Sequence, residues 1–268
     1  MLLSEAGELG LLRELEARGL IVGTEHDAAE LPDGLVVTQD ALVEGVHFRL
    51  DWLSWRELGF RAAAVSISDL SASAARPEAL LVTLAAPGDV LVERVLELYE
   101  GLAETGVPVV GGDTTRADEV FVTVTALGRS KRVPGRAGAR AGDIVVVTGP
   151  LGGAGAALRA QRYVRPPIRT EEGLRLGREA TAMLDVSDGL GVDAAHIAER
   201  SGCRLAIDVA AVPLGGTIDD LSFGEDFELL ATLPSNSLLL GEFAVIGRCE
   251  EGQGVSPPEL RGYEHFAG

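Results

Sequence analysis

The sequence predicts a mixed α/β protein built as two domains. Three observations carry that reading. Strands and helices alternate along both halves of the chain, its 268 residues exceed the usual domain size of about 100–150, and the basic, glycine-rich stretch GRSKRVPGRAGARAG at 128–142 interrupts the alternation. The boundary falls there, giving an N-terminal unit of residues 1–131 and a C-terminal unit of 132–268. Hydrophobic residues make up 46% and aromatic ones only 4%, so the core must be built from Ala, Val, Leu and Ile rather than from stacked rings.

Each element follows from local pattern. Leu9, Leu12 and Leu15 recur at helical spacing among charges, which predicts a helix over 4–18 stopped by Gly19. Short β-branched runs at 34–38, 79–84, 107–110 and 120–127 are bounded by Gly, Pro or Asp and read as strands, with helices between them over 54–75 and 90–104. Beyond the glycine-rich crossing come a strand at 143–148, a helix over 155–162 after the turn GPLGGAG, a helix over 193–200, and strands at 204–209, 229–233 and 243–248.

The formal net charge of −18 sets a repulsive field against nucleic acid and anionic lipid, so neither is expected as a partner. A small phosphorylated substrate stays admissible, because bound divalent cations invert the local sign of an acidic pocket. Cys203 and Cys249 lack zinc-site spacing and are too few for a disulfide scaffold, which points to a reducing cytoplasm. The opening MLLSEAGELGLLRELEARGL is acidic where a signal peptide is basic, and no apolar run reaches the roughly 20 residues of a membrane span.

The most informative feature is a series of aspartates at strand ends and turns: Asp27, Asp40, Asp69, Asp113, Asp185 and Asp188. Carboxylates from separate segments suit hard, oxygen-seeking Mg²⁺ and a multi-metal phosphoryl-transfer site. Singly, each also suits a turn or a helix cap, Asp69 and Asp188 in particular. GGDTTR, residues 111–116, follows an apolar strand, so its glycines let backbone approach a ligand while Asp113 meets metal and Thr114 or Thr115 meets phosphate; a tight turn is the plainer alternative. The GPLGGAG turn at 149–155 is either an anion site at a helix start or an ordinary βα turn, and it is no dinucleotide fingerprint.

Lys131 is the only lysine and lies in no phosphate-loop or protein-kinase context. If ATP is used, cations and arginine must neutralise its phosphates; Arg116, Arg136 and Arg165 are candidates, the latter two equally readable as solvated surface arginines. No serine nucleophile elbow is present, and His26, His47, His196 and His265 form no zinc pattern. His196 reads as packed; His47, in DALVEGVHF, reads either as a phosphate hydrogen-bond donor or as packed core.

DALVEGVHF, SISDLSA, GGDTTR, RAGARAGD, LDVSDGL, GEDFEL and the terminal GYEHF occur in the order in which thiamine-monophosphate kinases carry them, so the chain resembles that family over nearly its whole length. GGDTTR and DVSDGL belong to the wider superfamily that includes aminoimidazole ribonucleotide synthetase; the first and last motifs narrow it to the kinase. The resemblance implies the two-domain architecture of that superfamily, a homodimer joined through the N-terminal domain, several Mg²⁺ ions, and ATP and thiamine monophosphate as substrates. It also implies metal ligation by Asp27, Thr38, Asp40, Asp69, Asp113, Asp185 and Asp188, with Asp113, Asp40 and Asp188 nearest the chemistry. Gly112, Asp113, Arg136 and Ser187 would meet nucleotide, and His47, Glu225 and Tyr263 thiamine monophosphate. Two departures stand out. Where the family usually shows a G-I-G-D-D-C-A-like run, GTEHDAA keeps Asp27 but places Glu25 and His26 beside it, and the segment from 214 to 224 is short. The alternatives are another ATP-using enzyme of the superfamily, such as a purine-pathway synthetase, or a non-catalytic protein that binds nucleotide or thiamine phosphate.

Overall fold

The computed structural model describes residues 2–22, 26–260, 262 and 263. Two sheets organise them. The first has the order β1-β2-β5-β3-β4, from β1 (Ala29–Leu31), β2 (Leu35–Val43), β3 (Arg76–Ala86), β4 (Val109–Arg116) and β5 (Phe121–Arg129). Its pairings are antiparallel except β3 with β4. The second has the order β11-β8-β10-β6-β9-β7, from β6 (Ile144–Val147), β7 (Ala182–Asp185), β8 (Arg204–Ile207), β9 (Leu229–Leu233), β10 (Ala244–Glu250) and β11 (Gly254–Ser256). The helices are α1 (Leu3–Ala17), α2 (Trp55–Ala72), α3 (Val92–Ala103), α4 (Gly153–Arg159), α5 (Thr170–Leu176) and α6 (Leu190–Ser201). The mixed α/β class read from the alternation is what the structure has.

Helix α2 is the axis of the molecule. Ser54 caps it through a reciprocal pair with Glu57, and its interior is almost wholly buried, Leu58, Ile67 and Leu70 completely so. It packs over the inner face of the first sheet, where Val36, Leu80, Val82, Val122 and Val124 are also fully or nearly fully buried. Its far end, through Ala72, joins a second apolar cluster with Leu176, Met183 and Leu229 of the other half. Helix α3 crosses α2 backbone to backbone: a Cβ at Gly59 would strike the carbonyl of Leu98, and one at Gly101 would strike that of Arg56.

Several expectations need correction. GGDTTR is neither a turn nor a loop after a strand, because β4 runs straight through it, paired with β3 from Gly111 opposite Leu81 to Arg116 opposite Ala86. β4 is an edge strand, and every residue from Val110 to Arg116 is exposed. The N-terminal helix contains a break at Gly7, whose φ is 64°. Strands β1, β7 and β11 and helix α5 go beyond what the residue pattern predicts; each is short, and β7, AMLD, has no β-branched residue. Among the described residues no helix is long and apolar enough to cross a membrane.

Candidate active site

Alternation along β2 determines which side chains reach the interior. Val36, Thr38, Asp40 and Leu42 share one face, and Val36, Thr38 and Leu42 are buried there. Thr38 Oγ1 donates to Asp69 Oδ2 at 2.5 Å, so the strand and the last turns of α2 meet through a polar contact. One residue earlier on the helix, Ser68 Oγ donates to Asp185 Oδ2 at 2.5 Å, at the end of β7. Asp69 therefore caps no helix; it lies inside α2, facing the sheet. Asp27 completes the group, its side chain 4% exposed, with Arg136 Nε at 2.8 Å and Nη2 at 2.6 Å from Oδ1.

Four carboxyls are thus gathered between the two sheets with one guanidinium. Burial, then the neighbouring Asp40, Asp185 and Asp27, push Asp69 well above the usual carboxylate range. Asp185 rises to about 7, by burial and then by Asp27. Burial raises Asp27 and Asp40 as well. Asp40 Oδ2 is buried without a hydrogen-bond partner. Desolvated carboxylates that repel one another, one with an orphaned oxygen, are a donor set that fits hard divalent cations. Among the described residues, no three or more His, Cys, Asp or Glu side chains stand so that they could hold a metal ion between them as placed.

The other acids differ in setting. Asp188 follows Ser187 in the turn before α6; it does not cap that helix, whose cap position is Gly189. Its backbone N–H donates to Asp193 Oδ2 at 3.1 Å, and its carbonyl accepts from Tyr263 N at 2.7 Å, which returns the C-terminal segment to the site. Asp113 and Gly112 are exposed on β4, and a Cβ at Gly112 would collide with the Val82 backbone, so strand pairing itself demands glycine there. Arg116 is likewise exposed on β4. Arg165 pairs with Glu104 and stacks on the Phe60 ring, 3.3 Å from its centroid.

A cavity of about 660 Å³ is lined by Asp40, Ser187 and Asp188 and by Phe48, Trp52 and Phe227. His47, Glu225 and Tyr263 all line it. The His47 ring accepts from Val43 N through Nδ1 at 3.1 Å, which in the neutral ring leaves the proton on Nε2. Glu225 has a φ of 56° and is pinned by its N–H to the Ser187 carbonyl at 2.8 Å. Gly224 allows that approach, since a Cβ there would meet the same carbonyl. Backbone contact between the LDVSDGL and GEDFEL segments therefore brings Ser187, Asp188 and Glu225 to one cavity.

The GPLGGAG turn resolves as a structural βα turn. Asp226 takes its amides, with Gly152 N at 2.6 Å from Oδ2 and Ala154 N at 3.1 Å from Oδ1. His196 is packed, and burial, then Arg136, push it down to about 4.

Comparison with known proteins identifies the lineage. Residues 25–130 match the family model for the N-terminal domain of AIR synthase related proteins. The thiamine-monophosphate kinase of Aquifex aeolicus is 32% identical over 99% of this chain and 100% of its own length, and that of Methanopyrus kandleri 35% identical over 86% and 84%. The chain belongs to the thiamine-monophosphate kinases. A solved structure described as AaThiL complexed with AMPPCP and TMP superposes with a TM-score of 0.92 at 32% identity, covering 99% of each chain. The hydrogenase maturation protein HypE in complex with ATP, 20% identical with a TM-score of 0.69, shares the fold.

Within that thiamine-monophosphate kinase frame, three residues escaped the sequence reading. Asp193 is 3% exposed in the first turn of α6, and burial, then Asp188 and Asp185, raise it well above the usual range. Its signal was an acid five residues after Asp188 among small apolar neighbours. Ser68 hides in a serine-rich run with no mark of its role. Arg61 is 6% exposed inside RAAAVSISDL, and an arginine so buried in an apolar stretch of helix requires a counter-ion. The altered family run lies partly outside the described residues, Glu25 among them; His26 and Asp27 lie inside. The ending GYEHF is described only for Gly262 and Tyr263, and His265 lies outside.

Proposed function

We propose that this chain transfers the γ-phosphoryl group of ATP to thiamine monophosphate, yielding thiamine diphosphate and ADP. The carrying observation is one cavity whose lining combines the acids Asp40 and Asp188 with His47, Glu225 and Tyr263 and with the rings of Phe48, Trp52 and Phe227. Acidic groups suit two phosphate-bearing molecules managed through cations; an apolar, aromatic lining suits a heterocycle.

Asp27, Asp40, Asp69, Asp185 and Asp188, with the Thr38 hydroxyl, would hold Mg²⁺. Bound there, Mg²⁺ supplies charge neutralisation for the phosphates and for the developing transition state. Asp113, exposed on the edge strand β4 with β5 and β3 between it and Asp40, stands apart from those acids within one chain. The chain's own residues supply position. Thr38 and Ser68 orient Asp69 and Asp185. Arg136 balances Asp27 and, with Gly112, Asp113 and Ser187, serves the nucleotide. His47, Glu225 and Tyr263 shape the acceptor's seat. An anionic phosphate oxygen of thiamine monophosphate attacks γ-phosphorus as the bond to the bridging oxygen of ADP breaks; that oxygen needs no strong general base, which fits a site rich in carboxylates and without a nucleophilic serine.

The reading extends to two domains, 1–131 and 132–268, and to a homodimer. The fully exposed edge strand β4, with GGDTTR along it, supports pairing with a second copy, because an open edge is a template for association. Both cysteines are buried free thiols, in keeping with a cytoplasmic enzyme. Incubating the protein with ATP, Mg²⁺ and thiamine monophosphate should yield thiamine diphosphate and ADP by chromatography. Binding of both substrates without product would reduce the assignment to a binding protein.

A further inference from the structure

Arg61 is placed where an unneeded charge would be costly. Its side chain is 7% exposed, its Nη2 donates to Glu225 Oε1 at 2.5 Å and more weakly to the His47 carbonyl at 3.4 Å, and its Nε is buried without a hydrogen-bond partner. The pair joins α2 to the GEDFEL segment of the other half, and both residues line the cavity. Glu225 is 28% exposed, and no second hydrogen bond to its carboxylate occurs among the described residues. One oxygen is therefore committed to the guanidinium and the carboxylate keeps acceptor capacity toward the cavity.

The position along α2 ties the pair to the acids. Arg61, Val65, Ser68 and Asp69 stand at i, i+4, i+7 and i+8, one stripe of the helix. Arg61 and Val65 line the cavity, while Ser68 and Asp69 bond Asp185 and Thr38. Glu225 is fixed from the other side, its N–H on the Ser187 carbonyl at 2.8 Å, so the pair lies beside Asp188 in the same cavity.

We propose that Arg61 is a positioning and specificity residue for the phosphate acceptor, holding Glu225 so that its carboxylate accepts a hydrogen bond from the primary amine of the acceptor's aminopyrimidine. The proposal rests on the reading of the cavity as the thiamine monophosphate site. Because Arg61 balances the charge of Glu225, the seat offers a directed acceptor rather than a net negative charge, and it selects a donor rather than any cation. A site built to pair with an N–H rejects an analogue lacking it, since the protein's own acceptor is then left buried and unpaired.

The test uses Arg61→Met, Arg61→Lys and Glu225→Gln, with thiamine monophosphate and its analogue carrying an oxo group in place of the amine. The unmutated protein should favour the amine by at least about tenfold in kcat/KM. Arg61→Met should raise KM for thiamine monophosphate by about tenfold, leave KM for ATP within about twofold, and narrow the amine preference to about threefold or less. Arg61→Lys should recover at least about half of that loss on a logarithmic scale, and Arg61→Met with Glu225→Gln should be no worse than Glu225→Gln alone. If Glu225→Gln weakens the acceptor but Arg61→Met does not, the role of Arg61 is overturned and the cavity reading survives. If neither variant changes acceptor KM or preference, both are overturned. Should Arg61→Met fail to fold by circular dichroism, the unmutated protein still decides, because an amine preference within about twofold overturns the proposal.

Discussion

Ser68 donates to Asp185 at 2.5 Å, and in doing so a helix laid on the first sheet holds the end of a strand in the second. The bond is buried and serves an acid that the mechanism needs in a fixed place. Ser68→Ala should lower stability by about 1–3 kcal/mol, the cost of leaving a buried acceptor unpaired. Urea denaturation measures it, and a curve that overlays the unmutated protein would remove Ser68 from the site's support.

Stability should fall with rising pH when metal is absent. Asp185 titrates at about 7 in the folded protein against an ordinary value of 3.8, so across that window the folded state holds a proton that the unfolded chain has released. The unfolded state binds fewer protons there, and the sign of linkage makes unfolding easier as pH climbs from about 4 to about 7. Asp27, Asp40, Asp69 and Asp193 shift in the same direction. Thermal melts in chelator should show Tm dropping between about pH 5 and 8, with Mg²⁺ restoring it by binding only the folded state. A rising Tm over that range would contradict the packing of these acids.

Asp40→Asn should separate function from stability. It removes a charge that faces Asp69 and Asp185 and whose Oδ2 has no partner. Turnover should drop by at least about tenfold. The metal-free variant at high pH should melt above the unmutated protein, by about 2–4 °C for each 1 kcal/mol of relieved repulsion. Wild-type turnover would refute the assignment of Asp40.

Asp113→Asn makes the complementary case. The residue is exposed on an edge strand, so its replacement should leave stability within about 0.5 kcal/mol. A loss of turnover of at least about tenfold would then report chemistry alone, and full activity would remove Asp113 from the machinery.

The fold was legible more through composition than through alternation. The sequence located β2, β3, β5 and β9 through apolar or β-branched runs and α2 and α3 through helical spacing, although β9 is buried along its whole length. It missed β7, whose four residues AMLD include no β-branched side chain, and α5, whose TEEGLRL carries only two leucines. At the site, aspartates such as Asp40, Asp69 and Asp185 stood out by type. Ser68 and Asp193 did not, because a hydroxyl or an acid beside a helix carries no sign of its partner until the fold supplies one. GGDTTR looked like a turn for a related reason: its small polar residues form a strand whose exposed side chains carry no apolar signal.

The glycine contact between α2 and α3 limits how the site could be altered. With Gly59 seated on the Leu98 carbonyl and Gly101 on that of Arg56, the two helices leave no space for a side chain between them. Thr38, Asp185 and Glu225 each hold to a side chain of that long helix, so enlarging either glycine would disturb three contacts at once.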